Sequence, residues 1–84
     1  MAEKVLLEII VNGQSTTIEA NPNQPLRSVI GRALAQTGNT GQPPESWEFR
    51  DDAGNTLAVD ARIEDLGLTS GQRLFLNLKA GVGG

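Results

Sequence analysis

Asn12-Gly13 lies between two runs rich in aliphatic and β-branched residues, and no other dipeptide in the chain constrains its fold so strongly. Both central positions of a two-residue hairpin turn of the primed type need positive φ, which Asn and Gly tolerate best. The strand before the turn runs from Lys4 to Val11. With Asn12 and Gly13 at the tip, Val11 pairs with Gln14, Ile9 with Thr16, Leu7 with Ile18 and Val5 with Ala20. This register puts Val5, Leu7, Ile9, Val11 and Ile18 on one face, and a slip of one residue would turn them all to water. Leu6, Glu8 and Ile10 face the other way.

The turn cluster Asn21-Pro22-Asn23-Gln24-Pro25 comes next, and its second proline suits a first helical position, where a missing N–H is harmless. Leu26, Val29, Ile30, Ala33 and Leu34 then recur with helical spacing, which predicts one helix with a single apolar stripe, stopped by Gly38. Gly31 inside it costs about 1 kcal/mol relative to Ala, so the helix must lean on the sheet for its stability. Pro43-Pro44 imposes an extended entry into a short strand, Trp47 to Arg50. Trp47 and Phe49 share one face of that strand, and at least one of them is assigned to the core rather than to an interface.

A turn at 51–55 leads to a second short extended piece, Thr56 to Val59, that could pair with it. Asp51, Asp52 and Asn55 suit a tight turn, and their spacing departs from a calcium loop. Asp60 stands where a helix N-cap would, predicting one helical turn that ends near Gly67. Leu74, Leu76 and Leu78 alternate with Arg73, Phe75, Asn77 and Lys79, the period of a half-buried strand. The expectation is an α+β domain over residues 1–79, with one main helix across one face of a mixed sheet of four to five strands. Residues 80–84, three of them glycine, are expected to form a flexible tail.

Composition narrows the chemistry. In 84 residues there is room for one domain and a thin core, which disfavours a deep active-site cleft. The chain has no Cys, no His and no Tyr, so thiolate metal sites and thiol nucleophiles are absent and acid–base catalysis lacks its usual residue. We therefore expect neither an enzyme nor a cofactor or metal of its own. The net charge of −3, with signs interleaved, argues against nucleic acid as a partner. No apolar run approaches the ~20 residues of a membrane span, and the amino terminus has no leader pattern, so a cytoplasmic monomer is the expectation.

In this order and at this length, the Asn12-Gly13 hairpin, the Leu26-x-x-Val29 helix, Pro43-Pro44, the segment Ile63-Glu64-Asp65-Leu66-Gly67-Leu68, the Leu74/Leu76/Leu78 strand and Gly83-Gly84 resemble the ubiquitin-like β-grasp family. The resemblance spans essentially the whole chain and implies that the first and last strands lie parallel in the sheet centre. It further implies a small ubiquitin-like protein of the bacterial kind, whose terminal Gly84 carboxylate is adenylated by an activating enzyme and passed, through a conjugating enzyme, to amines of target proteins. A sulfur carrier, in which Gly84 becomes a thiocarboxylate, and a non-conjugated protein-interaction module are the alternatives. Gly83 and Gly84, lacking Cβ atoms, would fit a narrow active-site channel, and Lys79, Ala80, Gly81 and Val82 would be read by the activating enzyme. Five residues beyond the strand reach roughly 17 Å at most. The aliphatic patch of ubiquitin is largely absent, with Asn77 at its position on the last strand and Glu48 or Arg50 facing outward on the third. Leu6, Ile10 and Phe75 remain by parity as a candidate partner patch.

Overall fold

The computed structural model describes residues 4–80. The hairpin forms in the expected register: β1 (Val5–Val11) and β2 (Gln14–Ala20) pair antiparallel from Val11↔Gln14 to Val5↔Ala20. Asn12 and Gly13 take φ of 51° and 80°, the left-handed pair that a primed turn requires. Leu7, Ile9, Val11 and Ile18 are buried on its inner face, and Val5 is half-buried.

The predicted helix divides in two. Leu26–Val29 winds as a 3₁₀ turn, and α1 follows over Ile30–Gln36. Tertiary hydrogen bonds fix the first turn, because the Leu26 and Arg27 N–H groups donate to the carbonyls of Ala61 and Val59 at 3.0 and 2.9 Å. Ser28 N–H then closes the tighter ring to the Pro25 carbonyl. All five residues of the apolar stripe are buried. Gly38, at φ 72°, ends α1: its N–H donates to the Ala35 carbonyl, and Asn39 N–H to the Leu34 carbonyl at 2.8 Å, a Schellman closure.

Strands β3 (Trp47–Arg50) and β4 (Arg73–Leu78) complete a four-stranded sheet in the order β2-β1-β4-β3. The β1–β4 pair is parallel, with Ile9 opposite Leu74 and Val11 opposite Leu76, and β3 joins β4 antiparallel with Phe49 opposite Leu76. Those five residues have no exposed surface at all. Parallel neighbours need a long crossover, and the segment carrying α1 supplies it while covering the sheet's inner face.

Thr56 to Val59 does not become a fifth strand. Contact with β3 is limited to one Arg50↔Thr56 bridge and a bond from Leu57 N–H to the Phe49 carbonyl, since the chain then swings away to meet Arg27 through the Val59 carbonyl. The expected helical turn before Gly67 is only a hydrogen-bonded turn, in which the Arg62 carbonyl accepts from Asp65 and Leu66 at 3.0 and 3.1 Å. Asp60 pairs with Arg27 across the surface instead of capping it. Backbone bonds from Ile63 and Glu64 to the carbonyls of Gln24 and Pro22 hold this segment against the helix entrance, and Ile63 is fully buried.

Between β3 and the bridge, Asp51 Oδ1 accepts the N–H groups of Ala53 and Asn55, both at 2.9 Å, which makes this a carboxylate-stapled turn. Those bonds, the one from Asn55 foremost, hold the Asp51 carboxyl below its ordinary value of 3.8. A depressed carboxylate pKa favours the folded state at pH above the unfolded value and loses that advantage as pH falls through the folded one. The gap in thermal midpoint between the native chain and Asp51→Asn is therefore widest above about pH 5. It closes on acidification below 3.8, and circular dichroism melts across that range measure it. In the core, Leu76→Ala costs about 2–5 kcal/mol in urea unfolding, while the exposed neighbour Asn77→Ala stays within about 0.5 kcal/mol.

Candidate functional site

β4 runs up the middle of the sheet and delivers the chain to one end of the domain. Its last inward residue, Leu78, stands opposite Trp47 at the sheet margin and is already 37% exposed. Lys79 N–H donates to the Ser46 carbonyl at 2.8 Å, a final backbone anchor, after which the side chains of Lys79 and Ala80 are exposed. Lys79 takes part in none of the ion pairs among the described residues. The remaining tail residues singled out from sequence, Gly81, Val82, Gly83 and Gly84, lie outside the described residues.

Beside this exit is a cavity of about 230 Å³ whose walls include Arg27, Ile30, Trp47, Val59, Asp60 and Lys79. Sequence reading missed it, because four separate stretches of chain build it and no local spacing joins them. Trp47 on its wall is only 4% exposed, and its indole N–H has no partner among the described residues.

The open face of the sheet brings two of the three patch residues together. Ile10 lies directly opposite Phe75 in the parallel pair, both half-buried. Leu6 stands apart, four residues back along β1 or about 13 Å, with Glu8 and Arg73 between. Its own N–H donates to Ser70 Oγ and its carbonyl accepts from Gly71 N–H, which ties it to the turn before β4. The face is otherwise polar: Arg73 Nε lies 3.1 Å from Glu8 Oε1, Ser15 donates to Glu8 Oε2 at 2.8 Å, and Arg50 pairs with Glu48 at 2.9 Å. Ser15 and then Arg73 hold the Glu8 carboxyl below its ordinary value of 4.5. Glu48 pairs with Asn77 in the β3–β4 register, so polar residues occupy that end. The result is a two-residue apolar island flanked by the Glu8–Arg73 and Glu48–Arg50 ion pairs.

Among the described residues there is no cluster of three His, Cys, Asp or Glu side chains that could hold a metal, and no helix long and apolar enough to cross a membrane.

The fold is shared with solved structures of the ubiquitin type. The ubiquitin of Caldiarchaeum subterraneum superposes with a TM-score of 0.74 at 23% identity, covering 96% of this chain and 99% of its own. A protein designed on the basis of ubiquitin gives 0.78 at 22% identity, covering 96% and 95%. A ubiquitin-like domain from Arabidopsis thaliana gives 0.73 at 18% identity, covering 93% and 80%. These likenesses establish a ubiquitin-like β-grasp fold. In sequence, the chain is 52% identical over 81 residues to the uncharacterized protein y4jI of Sinorhizobium fredii, matching 96% of this chain but 62% of that protein, so it spans less than two thirds of its relative. The profile of the family described as Protein of Unknown function (DUF2604) matches residues 1–84, and the chain belongs to that family.

Proposed function

We propose that this chain is a ubiquitin-like protein modifier, itself without enzymatic activity, whose Gly84 carboxylate is adenylated by a partner enzyme and then joined to amines of target proteins. The observation that carries the reading is the exit geometry. β4 is paired on both sides, Lys79 is pinned to Ser46, and Ala80, the last described residue, is exposed four positions before Gly84 in the sequence. A fixed departure point lets a partner dock the rigid domain and receive the four residues after Ala80, which span at most about 14 Å. Gly83 and Gly84 offer the partner's channel no Cβ to accommodate. Lys79, Ala80, Gly81 and Val82 are the proposed recognition segment. Ile10 with Phe75 forms the proposed docking contact, and Leu6, about 13 Å away along β1 beyond the Glu8–Arg73 pair, is a separate apolar position on the same face. Where a longer form is made, proteolysis after Gly84 precedes activation.

A sulfur carrier is the second reading, favoured by the neutral, small side chains of Ala80, Gly81 and Val82. Here hydrosulfide attacks the adenylated carbonyl carbon, AMP leaves with one of the carboxylate oxygens, and the resulting thiocarboxylate passes its sulfur to a biosynthetic acceptor.

The deciding measurement is mass spectrometry of the protein recovered from its own host. Peptides of other proteins bearing the tail through an isopeptide bond are the expected finding, and Gly84→Trp abolishes them without changing the thermal midpoint. A free protein whose mass reports sulfur for oxygen, with no conjugates, supports the carrier instead. Neither product, together with normal cellular function after truncation at Ala80, overturns both and leaves an interaction module.

A further inference from the structure

The two edges of the sheet are not alike. On β1, the Leu6 carbonyl and the Glu8 N–H bond to Gly71 and Gln72 at 2.8 and 3.0 Å, so even-numbered backbone groups face β4 and odd-numbered ones face β2. In the hairpin register the residues of β2 that exchange bonds with β1 are then Gln14, Thr16, Ile18 and Ala20. Ser15, Thr17 and Glu19 turn their N–H and C=O groups outward. The direction is visible at Glu19, whose carbonyl accepts Arg32 Nη1 at 2.8 Å from outside the sheet.

Outer strands are commonly protected by Pro, Lys, a bulge or shortness. β2 itself carries none of these: it has seven residues, an unbroken register, the β-branched run Thr16-Thr17-Ile18, and a single charge, Glu19, which Lys4 of the segment before β1 neutralises at 2.9 Å. β3, at the opposite edge, has four residues and is partly covered by the Arg50↔Thr56 bridge and the bond from Leu57.

We propose that the β2 edge pairs antiparallel with the β2 edge of a second copy of this chain, on a two-fold axis at Thr17, joining two sheets into one. The strand is self-complementary about that residue. Thr17 meets Thr17 of the second copy, a favourable cross-strand pair, and Ser15 meets Glu19 in both directions. On the helix side, Thr16 meets Ile18. No like charges oppose each other, whereas an axis at Glu19 would set two carboxylates face to face. All three outward-facing residues are used, giving about six backbone hydrogen bonds. The Glu19 carbonyl keeps a second lone pair for the incoming Ser15 N–H beside Arg32. A contact made by one strand falls below the ~1,200 Å² of a stable complex, so the association is weak and the dilute protein is monomeric.

The test uses the full chain alone, in the absence of any activating enzyme, so its outcome is independent of the conjugation reading. Sedimentation equilibrium from about 10 μM to about 2 mM is expected to show the weight-average mass rising from monomer toward dimer. Hydrogen exchange at the Ser15, Thr17 and Glu19 amides is expected to slow over the same range. Thr17→Lys sets two ammonium groups at the axis and weakens association at least tenfold. Because Thr17 is exposed, that variant keeps the native circular dichroism spectrum. A mass that stays monomeric to the highest concentration, association unmoved by Thr17→Lys, or a dimer whose three amides gain no protection each overturns the proposal.

Discussion

The parallel seam between β1 and β4 is the interaction on which everything else depends. Among the described strands, β2 pairs only with β1 and β3 only with β4, so the sheet is two antiparallel pairs joined by that single line of contact. Ile9, Leu74, Val11 and Leu76 meet across it with no exposed surface. The residues they join are about sixty-five apart in sequence, so the chain must close a long loop before the seam forms. Part of that loop is α1, whose stripe then covers the same residues. The 59–67 segment, bonded to the helix entrance, closes the other side of the core.

The elements legible in the sequence are those whose signal is local. Asn12-Gly13 and the alternation on either side determine the hairpin residue by residue, because one face is buried and only one register buries it. The same holds for Leu74, Leu76 and Leu78, although Leu78 runs past the covered part of the sheet. Where the reading departs from the structure, long-range backbone bonds decide. Leu26 and Arg27 look like an α-helical start, but their N–H groups are held by the carbonyls of Ala61 and Val59 respectively while Ser28 closes a 3₁₀ ring to Pro25, and the bond to Val59 draws Thr56 to Val59 away from β3. Asp60 has the composition of a cap, yet Arg27 lies close enough to take its carboxylate.

The candidate site divides along the same line. Parity along β1 and β4 is enough to place Ile10 and Phe75 on one face, and the parallel register sets them side by side. Parity carries no information about distance along a strand, so Leu6 looked like a third member although the Glu8–Arg73 pair separates it. The cavity beside Lys79 was illegible, since Arg27, Trp47 and Asp60 converge only after the crossover is made. The Glu8–Arg73 and Glu48–Arg50 pairs flank this face, so the docking contact proposed there would have to displace or match paired charge, which favours selectivity over breadth.

Trp47 is the one tryptophan of the chain, and it sits at the junction where β3, the end of β4 and the cavity wall meet. An enclosed indole beside the strand that leads to the terminus gives the molecule an intrinsic fluorophore, with no tyrosine to compete for excitation. For the partner proposed to engage the tail, its emission would report whether that engagement also loosens the end of the sheet, so that docking outside the domain and prying it open are optically separable events.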